Sequence, residues 1–254
     1  MLKSVGNALR VLEYLVEHGE GGVSEMGRDI GLSPGTVYRL VSTLVEAGFA
    51  DQNTDNRRYI PGPRILYLAN VMRNRVEFLD VARAHLERLT DRANETVNFA
   101  VLRNDEVLYV DRVVSNQPLA VEVRIGSRVP LYCTALGKVL LAFGADDVRE
   151  SYLDRLSEIA EDGHFKPTEA QLRRELARVV AQGFAEDNGE FSPDIACVAT
   201  PVLNTKGRAI AAVSVSGPAS RFAARRDALI PMIEITGKEL TLLVSELGDD
   251  NPRL

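Results

Sequence analysis

Cysteine and histidine are both scarce in this chain. Its 254 residues hold two cysteines, Cys133 and Cys197, and three histidines, His18, His85 and His164. The cysteines show no CxxC spacing, which excludes a disulfide framework, and the five residues make no metal-ligand cluster. Neither a metal nor a cofactor is expected. No apolar run is long enough to cross a bilayer and no signal peptide opens the chain, so a reduced, cytoplasmic setting is the default. Positive charge is also missing. The net charge is −6, and the first 65 residues carry seven Lys/Arg against eight Asp/Glu. That excludes a broad basic stripe; nucleic-acid binding would rest on a few placed arginines and on helix N-termini, weakly for each protomer. Gly6, Gly19, Gly21 and Gly22 make no phosphate loop.

What is present is a dense local pattern between Val23 and Ile60. Gly31 can take the positive φ that ends a short helix. Ser33 is a good N-cap and Pro34 falls at the first helical position, where its missing N–H costs nothing. Val37, Leu40, Val41, Leu44 and Val45 then form one apolar stripe, and Gly48 stops the helix. The other face holds Gly35, Thr36, Tyr38, Arg39, Ser42 and Thr43, with no acid among them. Such a face can enter a major groove without repelling phosphate. Phe49–Gln52 and Arg58–Ile60 read as two short strands around the turn formers Asn53-Thr54-Asp55-Asn56. The whole is a winged helix-turn-helix. Thr36, Tyr38, Arg39, Ser42 and Thr43 are the candidate DNA readers, with Arg57 and Arg58 beside the wing tip for the flanking backbone or minor groove. Solvated loop charge is the competing reading of the two arginines.

Upstream, Asn7–Glu17 reads as a helix with Ala8, Val11, Leu12, Leu15 and Val16 inward. Pro61-Gly62-Pro63 is a stiff joint. A linker helix follows from Arg64, with Ile65, Leu68, Ala69 and Met72 on one stripe, suited to packing on its twin in a dimer or on its own domain. The expected divisions are 1–62 for the head, 63–76 for the linker helix and 77–254 for the second domain. That domain reads as a helix over Phe78–Ala93, a hairpin of Val97–Leu102 and Val107–Val113 turning at Asn104-Asp105, and a strand over Ala120–Ile125. Gly126–Leu131 bends into helices near Ala135–Phe143, Asp146–Leu156 and Thr168–Gln182. A short strand Phe184–Asn188, a hairpin of Ile195–Leu203 and Ala209–Ser216, and a closing helix Arg225–Leu247 complete an α+β fold with a largely antiparallel sheet.

Three downstream runs are more specific. They are Gly126-Ser127-Arg128-Val129-Pro130-Leu131-Tyr132-Cys133-Thr134-Ala135-Leu136-Gly137-Lys138, then Gly183-Phe184-Ala185-Glu186-Asp187-Asn188-Gly189-Glu190 running to Cys197-Val198-Ala199-Thr200-Pro201-Val202, then Ala211-Ala212-Val213-Ser214-Val215-Ser216-Gly217-Pro218. With the head run, in this order and spacing, the chain resembles the IclR family of transcription regulators over nearly its full length. The resemblance implies a GAF-like α/β effector domain and a dimer, often a dimer of dimers, on a palindromic operator in double-stranded DNA. It also implies a small-molecule effector contacted by Ala135, Leu136, Asp187, Cys197, Ser214 and Ser216. Ala135-Leu136 is bulkier than the Gly-Ala of some members, which shrinks the pocket beside the helix.

The residues themselves leave that pocket conditional. Ser214 and Ser216 share one strand face. With a four-residue loop over 204–207, Leu203 faces Arg208 and Cys197 lies opposite Ser214; a three-residue loop sends Cys197 to the other face. Thr134 can cap the helix from Ala135 and aim free N–H groups at an oxyanion, which favours a carboxylate effector. Two rival functions are a small-molecule sensor whose acidic head binds no DNA, and a cysteine enzyme using Cys197, His164 and Asp187, which no spacing supports.

Overall fold

The computed structural model describes residues 2–73, 77–117, 123–159 and 163–246, and the chain divides into two compact units, Met1–Arg75 and Val76–Leu254.

The first unit begins with α1 (Lys3–His18), four residues earlier than the sequence pattern suggests. Its inward side is Val11, Tyr14 and Leu15, whereas Val16, expected inside, is 53% exposed. The tyrosine replaces it because its ring joins the apolar cluster while its hydroxyl donates to Asp29 (3.1 Å), which removes the penalty for burying a phenol. α2 (Val23–Ile30) ends at Gly31 in the left-handed region, and α3 (Pro34–Glu46) starts directly after Ser33. The turn between them is tight enough to require glycine at 27: a Cβ there would stand 2.7 Å from the Leu32 carbonyl oxygen. β1 (Ala50–Gln52) and β2 (Tyr59–Pro61) pair antiparallel, and Tyr59 bridges back to Gly21. α4 (Arg64–Arg73) follows; Ile65 is half-buried, Leu68 and Ala69 are exposed, and the Met72 side chain lies outside the described residues.

The second unit is a six-stranded antiparallel sheet in the order β5-β4-β3-β8-β7-β6. The elements are α5 (Glu77–Ala93), β3 (Thr96–Arg103), β4 (Glu106–Val113), β5 (Arg128–Pro130), α6 (Ala135–Ala142), α7 (Asp146–Asp154), α8 (Glu169–Gln182), β6 (Ala185–Asn188), β7 (Ile195–Leu203), β8 (Ala209–Pro218), α9 (Ala219–Phe222) and α10 (Arg226–Glu246). Helices cover both faces. Val97, Phe99 and Val101 of β3 point into a core with α5 and α10, while Ala100 joins the core under α6, α7 and α8. Strands buried on both sides follow from this two-layer cover. Asn104 and Asp105 both take positive φ in the two-residue turn joining β3 and β4, as their chemistry predicts.

Two expectations are corrected. Of the strand expected over Ala120–Ile125, residues 120–122 lie outside the described residues, and Val123–Ile125 carry no strand. The partner of β4 is instead Arg128–Pro130, a segment read as a bend. The Asp146–Leu156 helix stops at Asp154 and passes into a 3₁₀ turn over Leu156–Glu158.

Candidate functional site

In the head, Ser33 Oγ accepts the Thr36 N–H (3.3 Å), capping α3 at its first turn. Val37 and Val41 are wholly buried, which fixes the helix rotation. Tyr38 (57% exposed), Arg39 and Thr43 consequently face solvent, with Thr36 and Ser42 half-buried at the edges of the same face. Thr43 Oγ1 donates to the Arg39 carbonyl (3.1 Å), so its hydroxyl is tied to its own helix. Arg57 is exposed at the wing, with φ +56°. Arg58 is turned inward and pairs with Glu20 (2.8 Å) and Glu25 (2.6 Å), binding β2 to the α1–α2 connection. The Gly22 N–H and then Arg58 hold the Glu25 carboxyl below its ordinary range. The wing is therefore strapped to the helices by half-exposed charge pairs, and one of the two arginines expected at phosphate is already neutralised.

In the second unit, Ala135, Leu136, Asp187, Cys197, Ser214 and Ser216 all line one cavity of about 60 Å³. Register explains how four strand residues meet there. Asp187 pairs with Cys197, Cys197 with Ser216, and Ser214 with both Ala199 and Asn98. Cys197 thus lies opposite Ser216 rather than Ser214. The loop is longer by one residue than the four-residue loop over 204–207, since Leu203 pairs with Ala209, and a bulge between Val202 and Leu203 adds a second shift. Two one-residue shifts return Cys197 to the face it would have had with none.

The helix side is built by close approach. Thr134 Oγ1 accepts the Gly137 N–H (3.1 Å) and the Thr134 carbonyl accepts from Lys138 (3.0 Å), leaving the N–H groups of Ala135 and Leu136 as the unpaired start of α6. Gly137 is packed so tightly that a Cβ would stand 2.2 Å from the Leu131 carbonyl oxygen.

Six further lining residues, Asn98, Tyr109, Val123, Thr134, Phe191 and Ile195, were not among the expected contacts. Asn98 left a signal: it is the one polar side chain in Val97–Leu102. Tyr109 left one too: the two-residue turn pairs Arg103 with Glu106, which puts Tyr109 opposite Ala100, and the bulge between Phe99 and Ala100 lies beyond that pair.

Asp187 is buried and accepts the N–H groups of Glu190 (2.7 Å) and Phe191 (3.4 Å) at Oδ1. Burial raises its pKa from 3.8 to about 6, against those hydrogen bonds and the nearby charge of Lys138. Lys138, itself buried in α6, pairs with Glu190. Burial, with the charge of Asp187, pushes the Cys197 thiol up. A protonated thiol is a poor nucleophile. His164, its candidate base, instead stacks on Phe191, with Nδ1 2.6 Å from the Phe191 carbonyl oxygen. Among the described residues, no group of three or more His, Cys, Asp or Glu is placed to hold a metal ion, and no helix is long and apolar enough to cross a membrane.

A capped helix with an outward polar face, a strapped wing and a separate helix-capped cavity define a DNA-binding regulator with a small-molecule domain. The chain belongs to the IclR family of bacterial transcriptional regulators: residues 4–54 match the IclR helix-turn-helix domain, and residues 71–241 match the bacterial transcriptional regulator IclR C-terminal family. It is 31% identical over 226 residues to the HTH-type transcriptional regulator KdgR of Escherichia coli, covering 89% of this chain and 86% of that protein. The Thermotoga maritima IclR structure is similar with a TM-score of 0.81 and 28% identity, covering 96% of this chain and 99% of that one. An IclR homologue from Microbacterium hydrocarbonoxydans, solved with 4-hydroxybenzoate, has a TM-score of 0.80 and 25% identity, covering 96% of this chain and 100% of that one.

Proposed function

We propose that this protein is a cytoplasmic, non-enzymatic regulator of a metabolic operon whose DNA affinity responds to a small carboxylate held in the second unit. The observation that carries the reading is the convergence of Ala135, Leu136, Asp187, Cys197, Ser214 and Ser216 on one cavity. The free N–H groups at the start of α6 suit an anion. The 4-hydroxybenzoate bound by the Microbacterium homologue supports a carboxylate ligand. Thr36, Tyr38, Arg39, Ser42 and Thr43 meet base edges and nearby phosphates, Arg57 meets the flanking backbone, and Arg58 serves as a strut.

The net charge of −1 over the first 65 residues makes a single head a weak binder. Two heads on a palindromic operator supply the affinity, spaced by about one helical turn or a multiple. The exposed Leu66, Tyr67 and Leu68 of α4 support packing of that helix on its twin in a dimer or tetramer. Effector binding shifts the population of head spacings only through a difference in affinity for the two arrangements.

The test is Arg39→Ala. Arg39 is exposed, so its removal leaves the fold and the cavity intact. Affinity for the intergenic DNA upstream of the protein's own gene is expected to fall by about tenfold or more at fixed salt, in line with the loss of one arginine contact. Unchanged affinity would refute the docking, and no shift of that DNA by the wild type would favour a head that binds no DNA.

A further inference from the structure

We propose that residues 191–193 are a door on the cavity and that His164 is its latch, so that His164 sets how readily the cavity is reached. The inference concerns access to the site already described; it rests on that site's being a ligand cavity and not on which ligand fills it.

Phe191 lines the cavity from the short connection between β6 and β7. That connection is pinned on both sides of the door. On one side, Asp187 Oδ1 accepts the Glu190 N–H (2.7 Å) and the buried Lys138 pairs with the Glu190 carboxylate. On the other, the Asp194 carbonyl accepts the Ala219 N–H (2.8 Å). Between the pins the hold on the sheet is thin. The Phe191 N–H reaches Asp187 only at 3.4 Å, Ser192 spends its carbonyl inside the same turn on the Ile195 N–H (2.9 Å), and Pro193 has no N–H to offer.

The outer hold comes from a distant stretch of chain. His164 Nδ1 lies 2.6 Å from the Phe191 carbonyl oxygen, which can only accept, so Nδ1 carries the proton. The two rings stack with centroids 4.3 Å apart. Phe165, the next residue, donates its N–H to the Glu190 carbonyl (3.0 Å). Gly163 and Phe165, on either side of His164, are exposed, which puts the histidine at the surface. The layers therefore run from cavity to Phe191 to His164 to solvent. Neither pin uses His164, so its loss frees the door and leaves the frame. A hold this local can open without unfolding the sheet.

Cys197 is the reporter. It lines the same cavity, and Cys133, the other cysteine, is wholly buried. The experiment is alkylation of the full chain with N-ethylmaleimide, with peptide mapping to separate the two cysteines. In the wild type Cys197 is expected to react far more slowly than a free thiol, at a rate that changes little with urea below the unfolding transition, because a local opening exposes little surface. His164→Ala is expected to raise that rate about tenfold or more, the combined effect of a lost hydrogen bond and a lost ring stack, with the melting point and the Cys133 rate unchanged. His164→Phe keeps the stack and is expected to fall between the two. Phe165→Ala keeps its backbone N–H and is expected to match the wild type. An unchanged Cys197 rate in His164→Ala would overturn the latch, as would an equal rise in Phe165→Ala or at Cys133. A wild-type rate equal to that of a free thiol, or one that climbs with urea as steeply as global unfolding, would overturn the door. The urea series needs no variant, so a misfolded His164→Ala does not protect the proposal. No readout uses a ligand, so these failures leave the carboxylate reading standing, and a protein that binds no carboxylate leaves the door standing.

Discussion

Asp187→Asn should make this protein more stable at pH 8. The carboxyl is 1% exposed, and its folded pKa is raised from 3.8 to about 6. Below about pH 4 it is protonated in both states. Between about pH 4 and 6 the unfolded chain gives up the proton while the folded chain keeps it, so stability falls as pH rises through that window. Above about pH 6 both forms are ionised and the folded state carries the full penalty, about 3 kcal/mol for this displacement. Asparagine removes the charge and keeps an oxygen to accept the Glu190 and Phe191 N–H groups. A gain approaching 3 kcal/mol is therefore expected at pH 8, and roughly half of it at pH 5. In a unit of this size each kcal/mol moves the midpoint by about 2–4 °C, so the variant should melt several degrees higher at pH 8. Circular dichroism at 222 nm reads this directly, since the chain has no tryptophan. A variant that melts at or below the wild type at pH 8, or with the same gain at both pH values, would refute the claim that burial dominates this carboxyl.

Two further outcomes concern the helix starts. Ser33→Ala removes the oxygen that caps α3 and should destabilise the head by about 1 kcal/mol in urea unfolding, with Ser33→Gly milder. Gly137→Ala forces a Cβ against the Leu131 backbone and should cost about 3 kcal/mol, read as a lowered melting point.

Helix ends are the most legible part of this chain. Gly31, Ser33, Pro34 and Thr134 act within a residue or two of themselves, so their chemistry appears in the sequence in the order it acts. The inward side of α1 is less legible. Val16 and Tyr14 are both compatible with the stripe, and only the partner Asp29 on another helix decides between them. Arg58 is illegible for the same reason, since Glu20 and Glu25 become its neighbours only when the wing folds back.

The sheet shows the deeper limit. Side chains alternate along a strand, so a cavity face is fixed by the parity of the shifts between partners, not by their number. Cys197 reaches the expected face although its partner is Ser216 and not Ser214, because a longer loop and the bulge at Val202/Leu203 each move the register by one. Tyr109 needs no shift at all: the two-residue turn pairs Arg103 with Glu106, so Tyr109 falls opposite Ala100, and the bulge at Phe99/Ala100 lies beyond that pair. A polar residue in an apolar strand needs no such parity argument. Asn98 is a polar side chain that burial obliges to find partners wherever it points, and its amide nitrogen finds them in Ser216 and, at longer range, Ser214 on the neighbouring strand.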